Sequence, residues 1–167
     1  MKTLIKILLL TFPLLSQAGT FENASYDACF TPNGGCDKKI IRTINRAKKQ
    51  VLVQAYSFTS TPIADALVDA HKHGIDVEVL LDKSQLKGKG SVLPYLKKQN
   101  IETKIDCKPA IAHNKVMIID GETVITGSYN FTESAEHKNA ENLLIIRDKN
   151  LAEKYKNNWI KRNEVSK

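Results

Sequence analysis

His113, Lys115 and Asp120 stand in the order H-x-K-x4-D; after six further residues Gly127, Ser128 and Asn130 read G-S-x-N, and Glu141 follows eleven beyond. These residue types suit attack on a phosphodiester. Breaking one without a metal needs a nucleophile for phosphorus, cations and donors for the non-bridging oxygens, and an acid for the departing oxygen. His113 fits the first need, and Lys115, Asn130 and Ser128 fit the second. Alternation along 113–119 puts His113, Lys115, Met117 and Ile119 on one strand face and Val116 and Ile118 on the other, so histidine and lysine project together. Residues 123–126 read as a second short strand after the Gly121 turn, and its end delivers Gly127, Ser128 and Asn130 beside that pair. Glu141 is then expected to hold the imidazole in one tautomer, the orienting role of the acid in a catalytic triad.

These residues resemble the phospholipase D superfamily, whose signature is H-x-K-x4-D-x6-G-S, and within it the small single-motif bacterial endonucleases of the Nuc type. The segments V-Q-A-Y-S-F-T-S at 53–60, L-L-D-K-S-Q at 80–85 and N-A-E-N at 139–142 are similar to that subfamily too. The resemblance implies an α/β fold with a mixed, largely parallel sheet flanked by helices. It also implies that Asp120 and Gly127 are structural and that the chemistry needs no cofactor or metal. Superfamily members build the site from two motif copies, and this chain holds one, which implies a homodimer with two His113 residues facing across a two-fold axis. Imidazoles titrate near pH ~6.5, so one of a coupled pair can be neutral and attack while its mate carries the proton for the leaving oxygen.

The elements that must position this motif follow from pattern. A helix is expected over 37–49, a buried strand over 51–56, and a second helix after Ser60 with Thr61 as N-cap, Pro62 at N1 and Gly74 at its close. A strand over 75–81 completes a β-α-β unit with parallel strands. A short helix over 91–99, strands over 101–105 and 142–147, and a final helix striped by Leu151, Tyr155 and Trp159 complete the reading. Residues 82–90 form a basic, glycine-bearing loop whose Lys83, Lys87 and Lys89 either grip phosphates or are simply solvated. Tyr56-Ser57-Phe58-Thr59 is echoed by Tyr129-Asn130-Phe131-Thr132. If that echo is structural, Gln54 and Ser57 reach the same sheet edge as Asn130 and line the pocket, because ligands gather outside strand C-termini. His137 is a further candidate for substrate contact.

Residues 1–18 read as a secretory signal peptide. Lys2 and Lys6 precede an apolar run from Ile7 to Leu15, and Ser16-Gln17-Ala18 ends in a small-x-small cleavage site. Residues 19–167 then form one phospholipase D-like domain, exported to the periplasm or beyond, or held at the membrane if the signal is retained. The formal charge of +7 falls to +5 without Lys2 and Lys6. A basic exported chain suits a polyanion such as nucleic acid, or an anionic membrane, although membrane association is not required. Oxidising surroundings would let Cys29 and Cys36 pair, and Cys107 is expected to be a buried free thiol. The cysteines lack paired C-x2-C spacing, so no zinc ribbon is expected; Asp69, His71 and His73 offer only an adventitious metal site. The expected function is metal-independent cleavage of DNA, with RNA as a second nucleic-acid substrate. A lipid phosphodiesterase acting on substrates such as cardiolipin is the alternative, and a DNA-binding uptake protein with incidental catalysis is a third reading.

Overall fold

Strict alternation along the central strands sorts apolar side chains onto two faces, and both faces must be covered. In the computed structural model, which describes residues 19–21 and 23–167, helices do this on both sides of one seven-stranded sheet. The predicted signal segment lies outside the described residues. In chain order the elements are β1 (Ser25–Phe30), α1 (Cys36–Ile44), β2 (Gln50–Ala55), α2 (Thr61–Lys72) and β3 (Asp76–Asp82). After a 3-10 turn at Lys83–Leu86 come α3 (Leu93–Lys98), β4 (Glu102–Asp106), β5 (Lys115–Ile119) and β6 (Thr123–Gly127). The chain ends with α4 (Glu133–His137), β7 (Asn142–Arg147) and α5 (Lys149–Glu164).

Across the sheet the order is β1-β7-β6-β5-β2-β3-β4. Only β2-β3 and β3-β4 are parallel, each joined by a helical crossover. The other four pairings are antiparallel. The mixed α/β class stands, but the sheet is mostly antiparallel rather than largely parallel. The physical reason lies in short connections: Asp120 and Gly121, at φ 55° and 66°, turn β5 directly back into β6 as a hairpin.

Val51, Val53, Met117, Ile119 and Ile125 pack under α1 and α2. Leu52, Leu80, Val116, Ile118 and Val124 pack under α5 with Ala152 and Trp159. The Trp159 indole N–H donates to the Val53 carbonyl at 2.9 Å, joining α5 to the middle of β2. Arg162 of α5 reaches the end of β4, where its guanidinium grips the 1% exposed Asp106 carboxylate at 2.6 and 2.8 Å.

Several boundaries differ from expectation. The first helix ends at Ile44, because Asn45 already caps it. Ser60 rather than Thr61 is the N-cap of α2. Cys29 and Cys36 form a disulfide that pins the end of β1 to the start of α1. Cys107 is exposed rather than buried, because it follows the last residue of β4 as the chain leaves the sheet.

The strand directions have one consequence for chemistry. The ends of β1, β2, β3, β4 and β6 and the beginnings of β5 and β7 share a single rim of the sheet. Along it run Phe30, Asn142, Gly127, Lys115, Ala55, Asp82 and Asp106.

Candidate active site

The motif histidine sits just before β5, on this rim, and its strand partners are already fixed by register. Ala55 pairs with Lys115, and the Tyr56 amide donates to the Asn114 carbonyl at 2.7 Å. On the other side Met117 pairs with Ile125, so the same register carries Lys115 opposite Gly127. The end of β6 therefore delivers Ser128 and Asn130 next to the start of β5.

His113 is exposed, whereas Lys115 is only 8% exposed. The Lys115 ammonium lies 3.1 Å from His113 Nε2 and donates to the His113 carbonyl at 3.2 Å. An ammonium only donates, so Nε2 accepts, which places the proton of a neutral imidazole on Nδ1. Burial pushes Lys115 below the ordinary lysine value, and the Glu141 carboxylate offsets part of that. Tyr56 completes the wall: its ring centroid is 4.5 Å from that of His113 and 5.0 Å from the Lys115 ammonium. A tilted ring contact and cation–π attraction hold both groups without using their polar atoms.

Asn130 shows a different signal. Among the described residues its Oδ1 is the one buried side-chain polar atom with no hydrogen-bond partner. Such an orphan is rare in a folded protein and marks a place where something else binds. Ser128 is fully engaged: its hydroxyl donates to Glu141 Oε2 at 2.5 Å and accepts from the Asn142 amide at 3.0 Å.

That engagement corrects the role expected for Glu141. Its second oxygen accepts from Asn139 Nδ2 at 2.9 Å, and within one chain neither oxygen bonds the imidazole. The pairing of Gly127 with Leu143 sets Glu141 beside Ser128, so it braces that hydroxyl and acts on Lys115 only through its charge.

Asp120 lies at the far end of β5. Its carboxylate accepts from the amides of Lys48, Lys49 and Gln50 at 2.8 to 3.0 Å, stapling the entry of β2 to the hairpin. Gly127 has φ 150°, and a Cβ there would collide with the Asn142 carbonyl. Both geometries serve backbone placement.

The Y-S-F-T and Y-N-F-T segments lie side by side. Phe58 and Phe131 form a parallel bridge with their rings edge to face at 5.6 Å, and the Thr59 and Ser60 amides donate to the Phe131 carbonyl. Ser57 is therefore brought next to the Asn130 segment. Gln54 is not: it is 3% exposed and shares a face of β2 with Leu52, opposite the face of Lys115. His137 is drawn to Asn33 Oδ1 at 3.0 Å and Glu133 at 3.4 Å, on the outside of α4. Lys83 is ordered by the 3-10 turn and donates to the Pro109 carbonyl at 3.3 Å, whereas Lys87 and Lys89 stand exposed.

Three residues of this architecture escaped the sequence reading. Tyr56 was visible only as the first letter of the echo. Asp82, 2% exposed, accepts from the Ser84 amide at 2.8 Å and from the Ala112 amide at 2.7 Å, so it fixes the residue before His113. Burial alone would raise that carboxyl, but these amide donors outweigh it and hold it below its ordinary value. Glu136, 3% exposed, gathers the amides of Gly35 and Asp37 and the Tyr129 hydroxyl, and burial with this acid keeps Tyr129 protonated. Nothing in its sequence context signals that role.

The family profile described as "Cardiolipin synthase, PLD-like domain" matches residues 40–162. The chain belongs to the phospholipase D superfamily. It is 46% identical over 145 residues to "Phospholipase D" of Rickettsia prowazekii, an alignment covering 87% of this chain and 71% of that one. It is 31% identical over 121 residues to human "Mitochondrial cardiolipin hydrolase", covering 72% of this chain and 48% of that protein. Among solved structures, Nuc from Salmonella typhimurium, a phospholipase D family member, superimposes with a TM-score of 0.83 at 35% identity, covering 87% of this chain and 97% of that one. NucT from Helicobacter pylori gives 0.78 at 28% identity, covering 86% and 98%. As a member of this superfamily with a single Nuc-type motif, the chain is a phosphodiesterase.

Proposed function

We propose that this phospholipase D-type phosphodiesterase is an exported endonuclease that cleaves DNA, and RNA as a second substrate, at a site shared by two copies of the chain. The observation that carries the reading is the His113 Nε2 contact with Lys115, with the Asn130 amide on the same rim. Nε2 of His113 attacks phosphorus while His113 of the partner subunit gives its proton to the departing oxygen; the P–O bond to that oxygen breaks and a phosphohistidine forms. The imidazole that gave up its proton then takes one from water, which displaces Nε2 and releases the phosphate monoester. Lys115 and Asn130 of both copies hold the non-bridging oxygens, while Ser128, its proton held by Glu141, braces the loop that carries Asn130. The dimer is supported by the single motif copy and by the Nδ1 of His113, which has no hydrogen-bond partner among the described residues of its own chain. The positive balance of the sequence supports a polyanionic substrate.

A second reading, lipid phosphodiester hydrolysis, is favoured by one observation. Phe30, Leu86 and Ile111, at 69%, 58% and 56% exposure, stand around this same rim, where they could meet a bilayer. The test is incubation of the chain from residue 19 with single-stranded DNA, duplex DNA, RNA and phosphatidyl vesicles, each with excess EDTA, beside His113→Ala. Nucleic-acid cleavage that survives EDTA and disappears in the variant is the expected result. Hydrolysis of lipid alone would replace this reading with the second; loss of all cleavage in EDTA would refute the metal-free mechanism. Retained DNA binding and uptake by His113→Ala would move the biological role toward DNA capture.

A further inference from the structure

At the end of the sheet opposite the His113 rim, cations collect without counter-charges. Arg42 lies in the last turn of α1, Arg46 follows that helix by two residues, and Arg147 ends β7. The three arginines line a cavity of about 240 Å³ between α1 and the β1-β7 ladder. Arg46 and Arg147 also line a neighbouring cleft of about 210 Å³, which Lys48 joins. The two openings thus share walls and form one basic band.

Every carboxylate bordering the band is already engaged. Asp27 pairs with Lys39 at 2.6 Å, Glu122 pairs with Lys149 at 3.2 Å, and Asp120 accepts three backbone amides. Among the described residues, Arg42, Arg46, Lys48 and Arg147 have no carboxylate within 4.0 Å. A position near a helix C-terminus accounts for Arg42 alone. Four exposed cations around shared cavities, none paired with a carboxylate, make a surface that attracts an external anion. Tyr26, 78% exposed, lines the first cavity beside the arginines. An exposed aromatic ring next to guanidinium groups suits bases stacked along a phosphate backbone. Of the exposed apolar side chains that a bilayer would call for, Phe30, Leu86 and Ile111 stand on the other rim, and Phe21 at this end lies against Asp148 and Leu151 outside the arginine-lined cavities.

We infer that Arg42, Arg46, Lys48 and Arg147, with Tyr26, form a second binding site for single-stranded nucleic acid, remote from the reacting phosphate. This rests on the endonuclease reading above. From Phe30↔Asn142 on the catalytic rim to Ser25↔Arg147 the register advances five residues. At ~3.4 Å per residue that is about 17 Å, a gap of several nucleotides along a single strand. The site therefore engages long strands and is out of reach of short ones.

The experiment compares the wild-type chain with Arg42→Ala/Arg46→Ala/Arg147→Ala, and with Lys38→Ala as a surface control on the same helix. Three readouts are taken: hydrolysis of bis(p-nitrophenyl) phosphate, cleavage of a dinucleotide, and cleavage of a single strand of ~20 nucleotides between ~50 and ~200 mM salt. The expected result is a loss of about tenfold or more in kcat/KM on the long strand. Its salt slope should also shrink by about two, as three lost phosphate contacts on a single strand predict. The two small substrates should stay within about twofold of wild type, thermal melts should match, and the control should match throughout. Equal loss on all substrates, or no loss on the long strand, overturns the proposal. If the wild type hydrolyses the small diester but no nucleic acid, the endonuclease reading itself falls and takes this site with it, an outcome distinct from failure of the site alone. Weakened binding of the triple variant to anionic phosphatidylglycerol vesicles, with unchanged binding to the long strand, would reassign the band to a membrane surface and also overturns the proposal.

Discussion

The two ends of β5 carry polar residues of one motif under opposite conditions. At one end Asp120 has its carboxylate filled by three backbone amides, and nothing about it invites a ligand. At the other end Lys115 is buried with its ammonium facing an exposed imidazole, and the nearby Asn130 amide oxygen has no partner. Satisfied polar groups build structure, and unsatisfied ones wait for substrate. Five residues of strand separate the two regimes, about 16 Å at ~3.3 Å per residue.

Substitutions at the two ends should therefore separate activity from stability. Asn130→Ala removes an amide whose Oδ1 bonds nothing in the fold and whose Nδ2 is the donor proposed for a phosphoryl oxygen. Turnover should fall about 10²- to 10³-fold, as for loss of one oxyanion donor, while urea midpoints stay put; an Asn130→Ala chain that is mainly less stable would erase the contrast. Asp120→Ala should do the reverse. It strands three amide donors and forces alanine into a φ of 55°, so stability should drop by about 2–4 kcal/mol. The kcat of the molecules that remain folded should be little changed, which denaturant titration and turnover measured on the same preparation would check.

Asp82 sits between these extremes, since its amide partners lie in the 3-10 turn and next to His113. Asp82→Asn should cost about 1–2 kcal/mol and reduce kcat more than it changes KM. The pH dependence follows from its lowered value. A carboxylate whose folded value lies below its unfolded one, near pH ~3.9, contributes stability above that pH and loses it as pH falls through the lowered value. The stability gap between Asp82→Asn and wild type should therefore be full at pH 7 and close as the solution is acidified below about pH 4; a gap that does not change with pH would show that the charge is not what matters. The smallest effect is expected at Tyr56, whose ring and not its hydroxyl makes the contacts. Tyr56→Phe should retain kcat, whereas Tyr56→Ala should lose two- to fivefold, the ~0.5–1 kcal/mol of an exposed cation–π contact. Equal losses in both would place the function in the hydroxyl instead.

What the sequence made legible follows the same division. Short apolar runs rich in β-branched residues marked β2, β5, β6 and β7, and the motif spacing put His113 and Lys115 together at the start of β5 because strand period alone sets which side chains share a face. β1 was invisible: it is an edge strand with five of its six residues exposed, so it carries no alternation. Strand direction was misjudged because the one β-α-β pattern, real for β2 and β3, says nothing about β5, which enters the sheet antiparallel beside β2. Long-range partners were the hardest to read. Glu141 meets Ser128 and Asn139, Glu136 meets α1, and Asp82 meets Ala112 across 30 residues. Each of these contacts depends on the fold being known first. Gln54 shows the limit of proximity in sequence: two residues before Tyr56, it lies on the face of β2 opposite that of Lys115.

The most direct test of the account is to trap the covalent intermediate. Acid-free rapid quench of the enzyme with a phosphodiester radiolabelled at phosphorus, in excess EDTA, should leave label on a peptide containing His113. The bond should be stable to alkali and labile to acid, and the label should be absent from His113→Ala. Label on another residue, or full turnover in EDTA by the His113→Ala chain, would contradict the central claim that the rim of this sheet is a histidine phosphodiesterase centre.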